Sequence, residues 1–316
     1  MVPAPMSSPA SAAIIQVVAQ THDLLGEAPL WHPLDGCLYW LDLVGARLHR
    51  LAAQSIVETR QIDRPSPLGS IVAGPVAGSL ILSALDGLWL YEWASNTLEP
   101  LCHPEAPRDG ISYNDAKVDR AGRLWIGTSD LAEQEPRGAL WCWTPGAPPV
   151  LADAGFTVVN GPAFSPDGCT LYLSDSVDRR ILAYDLAPDA SRLTNRRVFA
   201  VMAEDEGYPD GLTVDTDGGV WVAHWDGWRI TRFSPQGERS LRVPMPAPRI
   251  TSLTFGGDGL ATLFATSARL ELEGPMLQAA PLSGSLFAVD VGFAGVAERP
   301  FMPSLPKRAE EDRPFR

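Results

Sequence analysis

The stretch DGGVWVAHWDGWRITRF, residues 217–233, has the form of two short strands joined by tight turns. Its two apolar halves are rich in aromatic and β-branched residues, and an Asp-Gly pair stands before the first half and another between the halves. Asp-Gly in this setting is the strongest short hairpin signal, because both residues tolerate positive φ. The stretch therefore predicts a β-hairpin.

Five other segments repeat this form, with a small or acidic residue, a glycine, a strand, a turn and a second strand. The marker glycines of the six segments are 41 to 50 residues apart, at Gly36, Gly78, Gly122, Gly168, Gly218 and Gly259. A period in the forties with several strands per repeat is typical of propeller blades. Helical periodicity is nearly absent. The sequence therefore predicts an all-β fold, a six-bladed β-propeller.

The ends of the chain extend this prediction. The segment IIQVVAQ, residues 14–20, precedes the first marker and is expected to form the outer strand of the last blade, which would remove exposed sheet edges. We find no linker or break in composition. The predicted organisation is a flexible leader over 1–12, one propeller domain over 13–300 and a C-terminal tail over 301–316.

Composition limits the classes of partner. The 316 residues include 25 Lys and Arg against 38 Asp and Glu, a net charge of −13, which argues against nucleic acid and anionic membranes. No apolar run approaches the roughly 20 residues of a membrane span, and the N-terminus has no basic region of a signal peptide. Four widely spaced cysteines favour reduced thiols. We expect a cytoplasmic monomer or small homo-oligomer that binds a small molecule.

A set of polar residues recurs upstream of the markers. Counting seven residues back from the residue before each marker glycine gives an oxygen-bearing side chain in five repeats. In the first repeat the count falls on Ala28, and one extra residue in the HPLDG turn would move it to Glu27. These six positions, called the ring residues below, are Glu27, Ser70, Asn114, Asn160, Asp210 and Thr251. We expect each to open the inner strand of its blade, at one end of the central channel.

The chemistry of the ring residues indicates a metal site. Two carboxylates and two amides held together would repel or stay unsatisfied without a cation or dense hydrogen bonding. The ring contains oxygen donors and no His or Cys, which suits Ca²⁺, Mg²⁺ or Mn²⁺. Taken singly, Asn160-Gly161 or Asp210-Gly211 would be an ordinary turn, and the matched set is what favours a site. Ser70 and Thr251 are expected to be structural hydroxyls.

The turns that follow the second strands are expected to lie over the same end of the channel. They carry four rim candidates, Asp130, Asp175, Trp225 and Asp226. Each of these alone is typical of a hairpin turn. His224 lies inside a strand and is expected to be structural.

Four stretches in this order carry a family resemblance: LGEAPLWHPLDGCLYWLD (25–42), YNDAKVDRAGRLWIGT (113–128), NGPAFSPDGCTLYLSDS (160–176) and YPDGLTVDTDGGVWVAHWDGWRITRFSPQG (208–237). The chain resembles the regucalcin/gluconolactonase family, also called the senescence-marker-protein family. With the weaker second and last blades, the resemblance covers nearly the whole chain. The NGP and YPDG variants are similar to those of bacterial sugar-acid lactonases.

The resemblance implies a six-bladed propeller with one catalytic divalent cation, which is calcium, zinc, manganese, magnesium or ferrous iron in different members. Glu27, Asn160 and Asp210 match the three metal ligands of the family. Asn114 matches a residue that contacts substrate near the metal. Asp210 is also the implied general base.

One position departs from the family pattern. An Arg that touches substrate often stands two residues before the Asn of the Asn-Asp motif, and Ser112 stands there in this chain. Tyr113 and Arg108 are the candidates to replace it. Asp226 replaces a glycine of the family's Trp-Gly-Gly turn and is expected to bind a substrate hydroxyl, as is Asp130 at the rim.

The function this predicts is hydrolysis of a sugar lactone to the aldonic acid. One alternative is a calcium-dependent esterase or phosphotriesterase of the paraoxonase type, although such enzymes tend to carry a catalytic His near the metal. Another is a protein-binding propeller, because LYWLD resembles the YWTD signature of receptor propellers, but it occurs in only one blade. Calcium binding without catalysis is the third alternative.

Overall fold

The computed structural model describes residues 13–52, 56–105, 108–187 and 192–303, and over these ranges it contains six antiparallel sheets of four strands each. The predicted leader and residues 304–316 of the predicted tail lie outside the described residues. The innermost strand of each sheet packs against the innermost strands of the two neighbouring sheets, so that the sheets close into a ring. The predicted six-bladed β-propeller is thereby confirmed.

The first strand of the chain, β1 (Ile14–Ala19), stands apart from the blade that follows it. The first blade contains β2 to β5, which are Gly26–Trp31, Leu38–Asp42, Arg47–Leu51 and Val57–Gln61. The second contains β6 to β9, which are Leu68–Ala73, Ser79–Ala84, Gly87–Glu92 and Thr97–Cys102. The third contains β10 to β13, which are Ile111–Val118, Leu124–Asp130, Gly138–Trp143 and Val150–Phe156.

The other three blades follow the same order, from the inner strand outward. The fourth contains β14 to β17, which are Val159–Phe164, Thr170–Asp175, Arg180–Leu186 and Leu193–Val201. The fifth contains β18 to β21, which are Tyr208–Val214, Val220–Trp225, Arg229–Phe233 and Arg239–Pro244. The sixth contains β22 to β24, which are Ile250–Gly256, Thr262–Ser267 and Leu286–Asp290, and a helix α1 (Gly274–Ala279) lies between β23 and β24.

The ring of blades closes through the first strand of the chain. β1 pairs antiparallel with β24, with Ile15 opposite Val289 and Val17 opposite Phe287, and so becomes the outer strand of the sixth blade. This is the closure that the sequence predicts. Because the outer strand of the last blade comes from the start of the chain, β24 is paired on both sides and is not left as an exposed sheet edge.

A buried aspartate organises the hairpin between the inner and second strands of the fifth blade. Asp215 accepts the indole N–H of Trp221 at 2.7 Å, the Nε–H of Arg232 at 2.6 Å and the amide of Gly219 at 2.8 Å. Gly218 occupies the tight-turn position with φ of 81°. The carboxylate is fully buried, and its cost of burial is offset by these charge-assisted bonds. Asp217-Gly218 is thus a turn, as predicted.

The chain beyond β24 runs across the end of the channel opposite the ring residues. Lys117 forms an ion pair of 3.0 Å with Glu298, and the amide of Thr216 donates to Ala294. Phe301 is fully buried against Trp143. All these contacts lie on the turns or strand ends at that face, so the described segment 292–301 covers it and leaves the other end, called the mouth below, as the approach to the channel.

None of the helices in the described ranges has both the length and the apolar character needed to cross a membrane.

Candidate active site

All six inner strands carry a β-bulge near their start, at the mouth. The pairing with the second strand shifts register between residues 27 and 30, 68 and 71, 113 and 116, 160 and 163, 209 and 212, and 250 and 253. A bulge leaves extra residues unpaired and turns their side chains away from the regular alternation. Every ring residue lies within or directly beside one of these bulges, so the ring positions share a local backbone irregularity.

The four ring residues with carboxylate or amide side chains occupy two positions relative to the bulge. Glu27 and Asn160 are the last paired residues before it, opposite Leu41 and Ser174. Asn114 and Asp210 are the first residues inside it. Glu27 and Asn160 thus hold the same place in the pairing of their blades. This supports Glu27, rather than Ala28, as the ring position of the first blade.

The two ring hydroxyls differ in what they bind. Thr251 Oγ1 donates to the carbonyl of Gly26 at 2.5 Å and lies 2.9 Å from Thr266 Oγ1, so it ties the sixth blade to the first. Ser70 Oγ is buried and has no hydrogen-bond partner among the described residues. An unpartnered buried hydroxyl is costly unless a water or an ion satisfies it.

The ring amides form a chain of hydrogen bonds across three blades. Asn114 Nδ2 donates to Asn160 Oδ1 at 2.7 Å and to the carbonyl of Val159 at 2.7 Å. Asn160 Nδ2 donates to Ser176 Oγ at 3.0 Å, and this hydroxyl donates to the carbonyl of Pro209 at 2.7 Å. The chain fixes which atom of each amide is nitrogen. Both hydrogens of Asn114 Nδ2 are used, which leaves its Oδ1 available as an acceptor.

The ring carboxylates are buried close together. Burial, followed by the negative charges of Asp115 and Asp210, holds the pKa of Glu27 well above its usual range. Burial, followed by the charges of Asp115 and Glu133, raises the pKa of Asp210 in the same way. Neither carboxylate forms an ion pair among the described residues, so no cationic side chain there compensates their ionised forms.

Asp115 is a member of this cluster that the sequence did not single out. Burial raises its pKa to about 6, and its Oδ2 accepts the amide of Gly161 at 2.9 Å. It lines a small cavity in the channel together with Ala28, Leu212 and Ser252 from other inner strands. The clue to Asp115 in the sequence is that it directly follows Asn114. Both residues lie inside the same bulge, where side chains depart from the regular alternation.

Two of the predicted substrate contacts are engaged elsewhere. Tyr113 is buried in the core, with its hydroxyl 3.0 Å from His103 Nδ1 and accepting the amide of Glu105. Asp130 accepts the amide of Gln134 at 3.0 Å and pairs with Arg137; these contacts lower its pKa to about 2. The hydrogen bonds of the Tyr113 hydroxyl and of the Asp130 carboxylate therefore go to residues outside the ring.

The remaining predicted residues lie at the rim or in loops. Asp226 has a half-exposed side chain in the β19–β20 turn, where Oδ1 accepts from Arg249 Nε at 2.8 Å. Arg108 pairs with Glu105 and donates to the carbonyl of Arg137 at 2.9 Å. Arg249 was not singled out from the sequence. The clue to Arg249 in the sequence is that it stands two residues before the ring residue Thr251, as Ser112 stands two residues before Asn114.

The donor set fits a hard cation. Two buried carboxylates without a positive partner, the unpartnered Ser70 hydroxyl and the amide oxygen of Asn160 supply only oxygen atoms. Hard divalent cations prefer such ligands. In the described ranges no three His, Cys, Asp or Glu side chains stand together as a metal-binding group, so an amide oxygen would have to complete the set.

Comparison with known proteins finds a matching family model and relatives that are named as lactonases. A family model described as SMP-30/Gluconolactonase/LRE-like region matches residues 25–269. The 6-deoxy-6-sulfogluconolactonase of Pseudomonas putida is 32% identical over 285 residues, 90% of this chain and 97% of that protein. The L-arabinolactonase of Azospirillum brasilense is 30% identical over 288 residues, 90% of this chain and 94% of that protein.

A solved structure extends the likeness to three dimensions. The crystal structure of a calcium-binding protein, regucalcin, from Agrobacterium tumefaciens superposes with a TM-score of 0.85 at 25% identity. It covers 90% of this chain and 96% of that one. The matched region 25–269 includes all six ring residues and the bulges that present them. The chain therefore belongs to the SMP-30/gluconolactonase/LRE-like family.

Proposed function

We propose that this protein is a metal-dependent lactonase that opens a sugar lactone, an aldono-1,4- or aldono-1,5-lactone, to the aldonic acid. The observation that carries the proposal is the pair of buried, uncompensated carboxylates Glu27 and Asp210 beside oriented amides at the mouth of the channel. The lactonases among the relatives support the reaction class. Location in the cytoplasm and a monomeric or small homo-oligomeric state stay predictions from the sequence.

Glu27, Asn160 and Asp210 would hold one divalent cation. Their oxygen atoms favour calcium, magnesium or manganese, and zinc or ferrous iron occur in the family that the sequence resembles. The calcium-binding relative supports a divalent metal in this fold. When bound, such a cation polarises a carbonyl oxygen and lowers the pKa of water.

Asp210 is the proposed general base. The proton of the attacking water passes to a carboxylate oxygen of Asp210, and the water oxygen forms a bond to the lactone carbonyl carbon. The bond between that carbon and the ring oxygen then breaks. Asp210 returns the proton to the ring oxygen, which becomes a hydroxyl group, and the new carboxylic acid ionises at neutral pH.

Asn114 is the proposed substrate-orienting residue. Its Nδ2 hydrogens are committed to Val159 and Asn160, so the side chain can offer its Oδ1 to a hydroxyl hydrogen of the sugar. Asn114 is also more exposed than Glu27, Asn160 and Asp210, as a substrate contact requires. A fixed amide orients the bound ring without an entropic cost at each turnover.

The test is pH-monitored hydrolysis of a set of aldono-1,4- and aldono-1,5-lactones by chelated protein and by protein reconstituted with each cation. We expect turnover only with metal and a loss of about 100-fold or more in kcat for Asp210→Asn. Asp217→Asn, an exposed aspartate of the same blade at the opposite end of the channel, is the matched control.

The alternatives are distinguished by the same experiment. Unchanged turnover after chelation would show that the reaction does not need a metal. Full activity of Asp210→Asn would show that Asp210 is not the general base. Tight cation binding without turnover of any lactone would favour a calcium-binding propeller. Turnover of aryl esters or phosphotriesters in preference to lactones would favour the paraoxonase type.

A further inference from the structure

A second tier of positions lies two residues before each ring residue, at the mouth end of its inner strand. A bulge near the start of each inner strand interrupts the regular alternation of side chains, so the strand register decides which of these positions correspond between blades. These positions are occupied by Leu25, Leu68, Ser112, Val158, Tyr208 and Arg249. All six are among the described residues, and Arg249 is the charged member of the tier.

The strand register makes Arg249 the counterpart of Ser112. In the third blade Ser112 pairs with Ser129 and Tyr113 with Thr128. In the sixth blade Ile250 pairs with Ser267, and the carbonyl of Arg249 accepts the amide of Ala268 at 3.0 Å. The third and sixth blades face each other across a six-membered ring. Arg249 therefore stands opposite Ser112 at the same height of the mouth.

Three contacts from two loops fix the guanidinium of Arg249. Nε donates to Asp226 Oδ1 at 2.8 Å, and Nη1 donates to the carbonyl of Leu270. The guanidinium carbon lies 4.5 Å from the centre of the Trp225 ring, within the range of a cation–π contact. Arg249 is only 8% exposed, so the group is held in one place rather than free in solvent.

Arg249 and Asp226 nevertheless keep one hydrogen-bond donor and one acceptor, respectively, that no other described residue uses. Within the described residues, Nη2 of Arg249 and Oδ2 of Asp226 make no hydrogen bond. Nη2 is not among the buried polar atoms that lack a partner, so it reaches solvent. The side chain of Asp226 is 43% exposed. A fixed donor and a fixed acceptor thus lie side by side at the rim.

The charge of the pair selects the kind of group that it can bind. Asp226 balances the positive charge of Arg249, so the pair carries no net charge. An anionic substituent on the lactone would therefore find no uncompensated cation in the pair to receive it. Two adjacent hydroxyls fit, because one can accept from the guanidinium while the other donates to the carboxylate.

We propose that Arg249 and Asp226 determine substrate specificity by binding adjacent hydroxyls of a neutral sugar lactone. This inference rests on the proposed lactonase function and adds to it the class of substrate. The Pseudomonas putida relative is named for a sulfonated lactone, so we expect this chain to differ from it in preferring lactones without an anionic group.

The test compares Arg249→Met with wild type on an aldonolactone and on γ-butyrolactone, which has no hydroxyls. We expect kcat/KM for the aldonolactone to fall about 10- to 100-fold, the range for a hydrogen bond to a charged group, and to fall at least tenfold more than for γ-butyrolactone. Asp226→Asn keeps a side-chain oxygen that can accept a hydrogen bond, so its kcat/KM for the aldonolactone should fall less than that of Arg249→Met. Arg269→Met, an arginine of the adjoining loop that makes no side-chain hydrogen bond among the described residues, is the matched control.

A binding measurement separates this inference from the proposed function. Calorimetry with the corresponding sugar lactam, which resists hydrolysis, should give a Kd that rises about 10- to 100-fold in Arg249→Met, with or without turnover in wild type. Equal losses on both lactones, or an unchanged lactam Kd, would overturn the assignment even in an active lactonase.

If wild type binds the lactam and Arg249→Met binds it more weakly but no lactone is hydrolysed, the sugar site stands and the catalytic proposal fails. If wild type binds no lactam and opens no lactone, both fail.

Discussion

Asn114 Nδ2 donates a 2.7 Å hydrogen bond to Asn160 Oδ1, which joins the third and fourth blades at the mouth. Two asparagines can make this bond only in one relative orientation, and Val159 and Ser176 fix that orientation from either side. Asn114 is also directly followed by Asp115, a member of the buried carboxylate cluster. The identity of residue 114 as an amide therefore matters for stability as well as for substrate binding.

Replacing Asn114 with aspartate should destabilise the protein. The change removes both donated hydrogen bonds and adds a carboxylate next to Asp115, in the ring that also contains Glu27 and Asp210, so we expect the free energy of unfolding to fall by about 2 kcal/mol in metal-free protein. Urea unfolding measures this. Asn96→Asp is the control, because Asn96 is exposed and an aspartate there still accepts from Tyr91. Equal losses in the two variants would contradict a role for charge crowding at the mouth.

Asp210→Asn should have opposite effects on stability without and with metal. In chelated protein the variant removes one of the mutually repelling buried carboxylates, so we expect its Tm to exceed that of wild type. A cation at 100 times its Kd stabilises wild type by about 2.7 kcal/mol, which raises Tm by roughly 4 °C for a chain of 316 residues. Thermal unfolding with and without cation should show that the variant has lost this increase.

The control for that experiment is Asp217→Asn, which changes the same residue type on the exposed turn at the far end of the blade. It should keep the wild-type response to cation. A cation response of Asp210→Asn as large as that of wild type would argue that Asp210 is not a ligand.

Asp215→Ala should destabilise the fifth blade. The aspartate is the acceptor for Trp221, Arg232 and the turn amides, and its removal leaves a buried guanidinium and indole N–H without their partner. Breaking a buried pair in this way costs about 3–5 kcal/mol. Denaturant unfolding should show this loss, whereas Asp217→Ala should change stability by less than about 0.5 kcal/mol. A loss near 1 kcal/mol would mean that the turn holds without the buried carboxylate.

The blades could be predicted from the sequence because their signals are local. The Asp217-Gly218 turn and its counterparts mark hairpins within about ten residues, and their regular spacing gives the blade number. The β1–β24 closure followed from the same repetition, since residues 14–20 had no blade of their own. Each of these inferences needs only the backbone pattern, which the structure confirms.

Side-chain directions at the mouth could not be predicted in the same way. Tyr113, Asn114 and Asp115 are consecutive, yet the first lies in the core, the second bonds to another blade and the third faces the channel. The bulge causes this difference, and no residue type in the motif specifies where a bulge starts. The Asp226–Arg249 pair spans 23 residues, so it depends on how two blades meet. The proposed roles of Glu27, Asn160 and Asp210 stay predictions.

Acid should destabilise the protein in part through His224. Burial lowers the pKa of His224 to about 4, and its Nδ1 lies 2.7 Å from the carbonyl of Glu206. Nε2 is buried and has no hydrogen-bond partner among the described residues, so the folded protein holds the neutral ring. The unfolded chain takes up a proton near pH 6.5 and the folded protein only near pH 4. This contribution to stability is therefore complete above pH 6.5 and is lost as the pH falls from 6.5 to about 4.

The size of this loss should be about 3 kcal/mol at most, from the gap between the folded and unfolded pKa values. His224→Gln is the comparison, because a glutamine amide can still donate to Glu206 but does not titrate in this range. Unfolding free energies of both proteins between pH 7.5 and 4 should converge, with wild type losing more. Titration of the His224 ring by NMR gives the folded pKa directly, and a folded pKa near 6.5, or parallel stability curves for the two proteins, would show that burial of the neutral ring does not contribute.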